Sequence, residues 1–128
     1  MTSVKPIALY LAASLTLFIG IAHSCLGERY ILIRLFRRDD LPRLFGSSDF
    51  TVRTLRFAWH LTTVAWCGLA AILILLAQES ATPGNLGLIV GGTFLVHGFV
   101  ALVASRGKHF AWPVFLAIGV LALYATRG

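Results

Sequence analysis

Four stretches of the chain are almost purely apolar, and polar residues collect between them. Residues 6–27 and 57–77 contain no Asp, Glu, Lys or Arg. Residues 86–104 are apolar apart from Thr93 and His97, and residues 109–126 form a shorter run. A spanning helix needs about 20 mostly apolar residues, so these runs predict four helices. The period-2 alternation of a membrane barrel is absent. Only helices and closed barrels satisfy the backbone inside lipid, so the fold class expected is all-α: an integral membrane four-helix bundle in one domain.

The connections follow by subtraction. Residues 28–56 form a long basic loop. Thr82-Pro83-Gly84-Asn85 is a strong turn signal, and Gly107 sits in a tight turn before the last run. Short links make neighbouring helices antiparallel. Arg29 to Arg38 interleave cations with Tyr30, Ile31, Leu32, Ile33, Leu35 and Phe36, the composition of an interfacial helix. The first helix is expected either to run on through this segment or to bend along the bilayer, ending near Asp39-Asp40 and Pro42. Ser48 and Asp49 are both candidate N-caps for the second helix.

Composition agrees with this reading. Of the 128 residues, 58% are hydrophobic and 12% charged, where soluble domains carry about 25% charged residues. Mean hydropathy is +0.84. A disordered chain, a collagen-like fibre and an ordinary soluble enzyme domain are excluded. Charge also predicts sidedness. Nine of the 11 Lys and Arg residues, from Arg29 to Arg56 together with Arg106 and Lys108, lie in the first and third connections; only Lys5 and Arg127 fall on the other side. The positive-inside rule then makes the long loop cytoplasmic and both termini non-cytoplasmic, most simply in a bacterial inner membrane. Cleavage of a signal peptide after Ser24 is disfavoured, because the apolar run exceeds an ordinary h-region and His23 is a poor residue beside a cleavage site.

The candidate chemistry is four histidines, one for each predicted helix: His23, His60, His97 and His109. Ionisable groups inside membranes are costly and mark functional sites by default. Counting from the nearest basic residue at about 1.5 Å per residue, His60 lies about 6 Å deep, His23 about 9 Å and His97 about 13 Å, with His109 at the surface. All four fall in the half expected to be cytoplasmic. The faces of His23, His60 and His97 carry small and hydroxyl residues, including Gly20, Gly27, Thr63 and Thr93, as packed membrane interfaces do.

Imidazole suits iron, copper, zinc and nickel, so a haem b or transition-metal centre is one expectation. His60 with His97 or His23 would supply axial ligands, His109 would be accessory, and Arg56 and Arg106 would meet haem propionates. Electron exchange with a quinone or a partner membrane subunit would follow. A carboxylate-bridged di-iron centre is disfavoured, because no Glu-x-x-His pair occurs. Two other readings stay open. One is a non-catalytic accessory or lipid-binding subunit whose histidines hold helices together. The other is a small transporter, a homo-oligomer at this size, although no carboxylate lies deep in the first run. Interleaved aliphatics make nucleic acid an unfitting partner for the basic loop. Cys25 and Cys67 form no CxxC pair and are expected to be packing residues.

Overall fold

The computed structural model describes residues 4–127, so Met1–Ser3 and Gly128 lie outside the described residues. Four helices account for most of the chain: α1 (Val4–Gly27), α2 (Asp49–Ala77), α3 (Pro83–Ser105) and α4 (Ala111–Thr126). The first three are long and apolar enough to cross a membrane; α4 is a shorter apolar helix. Among the described residues the only extended pairing is an isolated bridge between Leu44 and Ser47.

The first helix does not end at Gly27. It passes into a π turn, Glu28–Leu32, whose wide hydrogen bond runs from the Ile33 N–H to the Glu28 carbonyl. One more α turn, Ile33–Leu35, follows. Of the two routes the sequence leaves open, the helix takes the continuous one. At the next connection the turn signal is itself part of a helix start. The Thr82 side chain accepts the Asn85 N–H at 3.2 Å, and Pro83 occupies the first helical position, where its missing N–H costs nothing. Thus α3 begins three residues before the apolar run. Helix α2 begins eight residues before its run, at Asp49. Neither candidate cap residue caps it through a side chain; instead Ser47 Oγ accepts the Asp49 N–H at 3.2 Å.

The helices pack in chain order: α1 on α2, α2 on α3 and α3 on α4. Each pair is antiparallel, since contact partners that rise in number on one helix fall on the other. Gly20 meets Thr63 while Gly27 meets Trp59; Gly91 meets Leu123 while Gly98 meets Leu116. Glycine sets how close α3 and α4 come. A Cβ on Gly91 would lie 3.0 Å from the Gly119 carbonyl oxygen, and one on Gly119 would lie 2.9 Å from that of Gly91. Small residues let membrane helices approach this closely without a hydrophobic drive between them.

A small core of Phe57, Leu61 and Ala101, backed by Trp112 and Phe115, joins α2, α3 and α4. Large apolar side chains such as Leu15, Phe18, Phe99 and Leu121 point outward, as lipid-facing residues would. Antiparallel packing brings both basic connections to one end. There Lys108 Nζ sits 5.6 Å from the Phe45 ring centroid, and Thr51 Oγ1 donates to the Pro42 carbonyl at 2.8 Å, tying the long loop to α2.

Candidate functional site

Polar side chains are concentrated on the α1–α2 seam near its basic end. Helical spacing puts Ser24 and Glu28 on one face of α1, four residues apart, and Arg56, His60 and Thr63 on one face of α2. The two faces meet. His60 Nδ1 lies 2.9 Å from Ser24 Oγ, and His60 Nε2 lies 3.2 Å from Glu28 Oε2. The other Glu28 oxygen pairs with Arg56 Nη2 at 3.0 Å, and Arg56 Nε donates to Oε2 at 3.3 Å. Ser24 Oγ is 2.6 Å from Thr63 Oγ1, which reaches the Gly20 carbonyl at 3.1 Å. The Arg56 guanidinium also stacks on Phe36, 4.9 Å from its centroid.

This chain accommodates two proton arrangements. With a neutral His60, Nε2–H donates to Glu28, Nδ1 accepts from the Ser24 hydroxyl, and Ser24 accepts from Thr63. With a doubly protonated His60, Nδ1–H donates to Ser24, Ser24 to Thr63, and Thr63 to the Gly20 carbonyl. Every donor on the chain has an acceptor in both states. The hydroxyls reverse direction between the two arrangements, so neither leaves a part-buried polar group without a partner.

His60 also borders a cavity. A space of about 390 Å³ opens beside α2, lined by Asp49, Arg53, Arg56 and His60 at its polar side and by Phe57, Val100 and Ala104 at its apolar side. Cationic and imidazole groups therefore face an apolar wall, an arrangement suited to an amphipathic ligand.

The other histidines sit in separate surroundings. His23 lies flat on Trp59, with ring centroids 4.5 Å apart and planes 2° apart. Its Nε2–H donates to the Trp59 carbonyl at 3.2 Å, and Trp59 Nε1–H returns a bond to the His23 carbonyl at 3.0 Å. His97, 8% exposed, donates Nδ1–H to the Thr93 carbonyl at 2.7 Å and packs edge-on against Phe115. It borders a different, apolar cavity of about 240 Å³ between α2 and α3. His109 lies between Phe50 and Phe57, and its Nδ1 accepts the Ala111 N–H at 3.2 Å where α4 begins. Among the described residues no group of three His, Cys, Asp or Glu side chains is placed to hold a metal ion. Nor do the expected propionate partners share a site: Arg56 is beside His60, while Arg106 lines a small pocket with Arg53 and Lys108.

No protein-family model, curated protein or solved structure matches this chain.

Ser24, Glu28 and Thr63 complete the network around His60, and none of the three is among the site residues that the sequence predicts. Their signal is two complementary helix faces, Ser24 with Glu28 and Arg56 with His60 and Thr63. It becomes visible only when the two helices are set antiparallel and in register. Cys25 and Cys67 are free, and both are exposed.

Proposed function

We propose that this is a small integral membrane protein, of a bacterial inner membrane with its basic end cytoplasmic, that binds an amphipathic, proton-exchanging ligand of the quinone class beside His60. The observation carrying this reading is the dual placement of His60. Its ring nitrogens join the Ser24–Thr63 hydroxyls to the Glu28–Arg56 pair, while the same side chain borders the cavity with Arg53 and Arg56. A ligand carbonyl in that cavity would replace Glu28, 3.2 Å away and still paired with Arg56, as the partner of His60 Nε2–H. An isoprenoid tail would lie along Val100 and Ala104 towards lipid. Electrons would come from a partner membrane subunit.

Titrating the detergent-solubilised protein with a short-chain ubiquinone, followed by quenching of tryptophan emission, should give a saturable curve. His60→Gln should raise the Kd about fivefold, the value of one hydrogen bond at about 1 kcal/mol. Quenching that never saturates, or an unchanged Kd in His60→Gln, refutes the reading.

A haem b or transition-metal centre is the second reading, and His97 favours it. Its Nδ1–H is held by the Thr93 carbonyl, the outer-shell arrangement that orients metal-ligating imidazoles, and this leaves the Nε2 lone pair for a ligand. His60 offers no such free nitrogen, since both of its ring nitrogens are engaged. On this reading, protein purified from iron-replete cells shows a Soret band or stoichiometric metal that His97→Ala abolishes and His109→Ala preserves.

A further inference from the structure

Where the two basic connections meet, a second and smaller pocket of about 60 Å³ is lined by Ser47, Asp49, Arg53, Ser105, Arg106 and Lys108. We propose that this pocket binds a phosphate group, held by Arg53, Arg106 and Lys108. The three cations come from three separate segments: the first turns of α2, the residue ending α3, and the turn before α4. Among the described residues none of them takes part in an ion pair. Against them stands one carboxylate, Asp49, so the pocket carries an excess of two positive charges. The pocket has room for a compact oxyanion. Ser47 Oγ accepts the Asp49 N–H, which leaves its hydroxyl proton free to donate. Ser105 contributes wall rather than donor, because its hydroxyl is already given to the Ala101 carbonyl at 2.6 Å.

The surroundings place this phosphate at a lipid surface. Phe45, which lines the pocket, is 74% exposed, and Phe110, two residues beyond Lys108 in the chain, is 86% exposed. Phe45 is held at a φ of 56°, followed by Gly46 at 87°. Positive φ is uncommon for a bulky residue, and here it is maintained by the paired backbone bonds of Leu44 and Ser47. An outward phenylalanine on the rim of a cation-lined pocket matches an interfacial anchor with an anionic headgroup seated beside the Phe45 ring. Free inorganic phosphate carries the same oxyanion, and the test separates the two sources.

Thermal unfolding of the full chain in dodecyl maltoside would be titrated with phosphatidylglycerol, phosphatidylcholine or inorganic phosphate. The wild-type protein should be stabilised by phosphatidylglycerol well below the concentration at which phosphatidylcholine acts. At about fivefold per direct hydrogen bond to the phosphate, R106Q/K108Q should weaken that effect about 25-fold. R34Q/R37Q, which removes equal charge elsewhere in the basic loop, should change it less than twofold. K108Q alone, at an exposed position, should lose about fivefold and serves if the double variant is poorly folded. Stabilisation by inorganic phosphate with the same variant dependence, and nothing further from the lipid, upholds the site and assigns free phosphate as its source. Equal losses in R106Q/K108Q and R34Q/R37Q, or no stabilisation by either phosphate source, overturn the proposal.

Discussion

The α1–α2 seam closes only because residue 27 has no side chain, and the consequence can be worked out quantitatively. A Cβ at Gly27 would lie 2.5 Å from Trp59 Cζ2, with Nε1 and Cε2 nearer still. The indole cannot yield easily. One face is stacked on His23, and its N–H is bonded to the His23 carbonyl. Gly27→Ala therefore forces over-packing at about 1–3 kcal/mol. If the ring moves, a hydrogen bond of about 1 kcal/mol and a stacking contact of about 0.5–1.5 kcal/mol are lost as well. Helix propensity returns up to about 1 kcal/mol. The net expectation is a destabilisation of about 2–3 kcal/mol, or roughly 10 °C in Tm for a chain of this size.

Gly20, two turns earlier on the same face, supplies the control. A Cβ there would make ordinary contacts, 3.4 Å from Thr63 Cγ2 and 3.8 Å from Trp66. Gly20→Ala should be neutral or more stable by up to about 1 kcal/mol. Thermal unfolding in one detergent, read by circular dichroism and tryptophan emission, compares the two. A Gly27→Ala protein as stable as the wild type, or a Gly20→Ala protein as damaged as Gly27→Ala, would refute this account of the seam.

Two further outcomes are expected. The Glu28–Arg56 pair is partly exposed, with side chains 29% and 44% accessible, so a double-mutant cycle with Glu28→Gln and Arg56→Gln should give only about 0.5–1 kcal/mol of coupling in stability, falling as salt is added; coupling above about 2 kcal/mol would mean that the pair is far better shielded than its exposure implies. At the loop, Arg38 grips Asp40 through two hydrogen bonds of 2.8 and 2.6 Å, which holds the Asp40 carboxyl below the usual aspartate range. A depressed folded-state value makes the pair's contribution complete above the ordinary aspartate range, and acidification removes it only as pH falls through that lowered value. Carboxyl NMR should show Asp40 titrating below the ordinary aspartate range, and Arg38→Gln should return it to that range.

The helices themselves were legible in the chain because their signal is local. Long charge-free runs predict segments that bury their own backbone hydrogen bonds, and Pro83, Pro113 and Gly107 fall where helix starts and a turn tolerate or need them. The runs alone start α2 and α3 too late, whereas the cap candidates Ser48 and Asp49 mark where α2 begins. Residues 49–56 are polar enough to look like loop, yet they continue the helix because Ser47 and Thr51 tie its first turn to the preceding chain.

The candidate chemistry was legible only in part. Four histidines in one half of the bundle suggest one centre, since depth along each helix can be counted. Which way a side chain points, and which helix it meets, cannot be counted in the same way. The helices pack as a row of neighbouring pairs, so His60 faces Ser24 and Glu28, His97 faces Phe94 and Phe115, and His109 faces Phe50 and Phe57.

By itself, then, the sequence determined that the chain is helical and apolar, roughly where its helices lie, and that nine cations collect in the first and third connections. Those properties depend on hydrophobic runs and charge counts, which need no knowledge of partners. Tertiary structure alone decided that Glu28, at the head of a π turn, joins Arg56 and His60, and that Arg53, Arg106 and Lys108 surround one pocket. Such contacts bring together residues on different helices, and they depend on angles and on a register that close glycine contacts set to within an ångström.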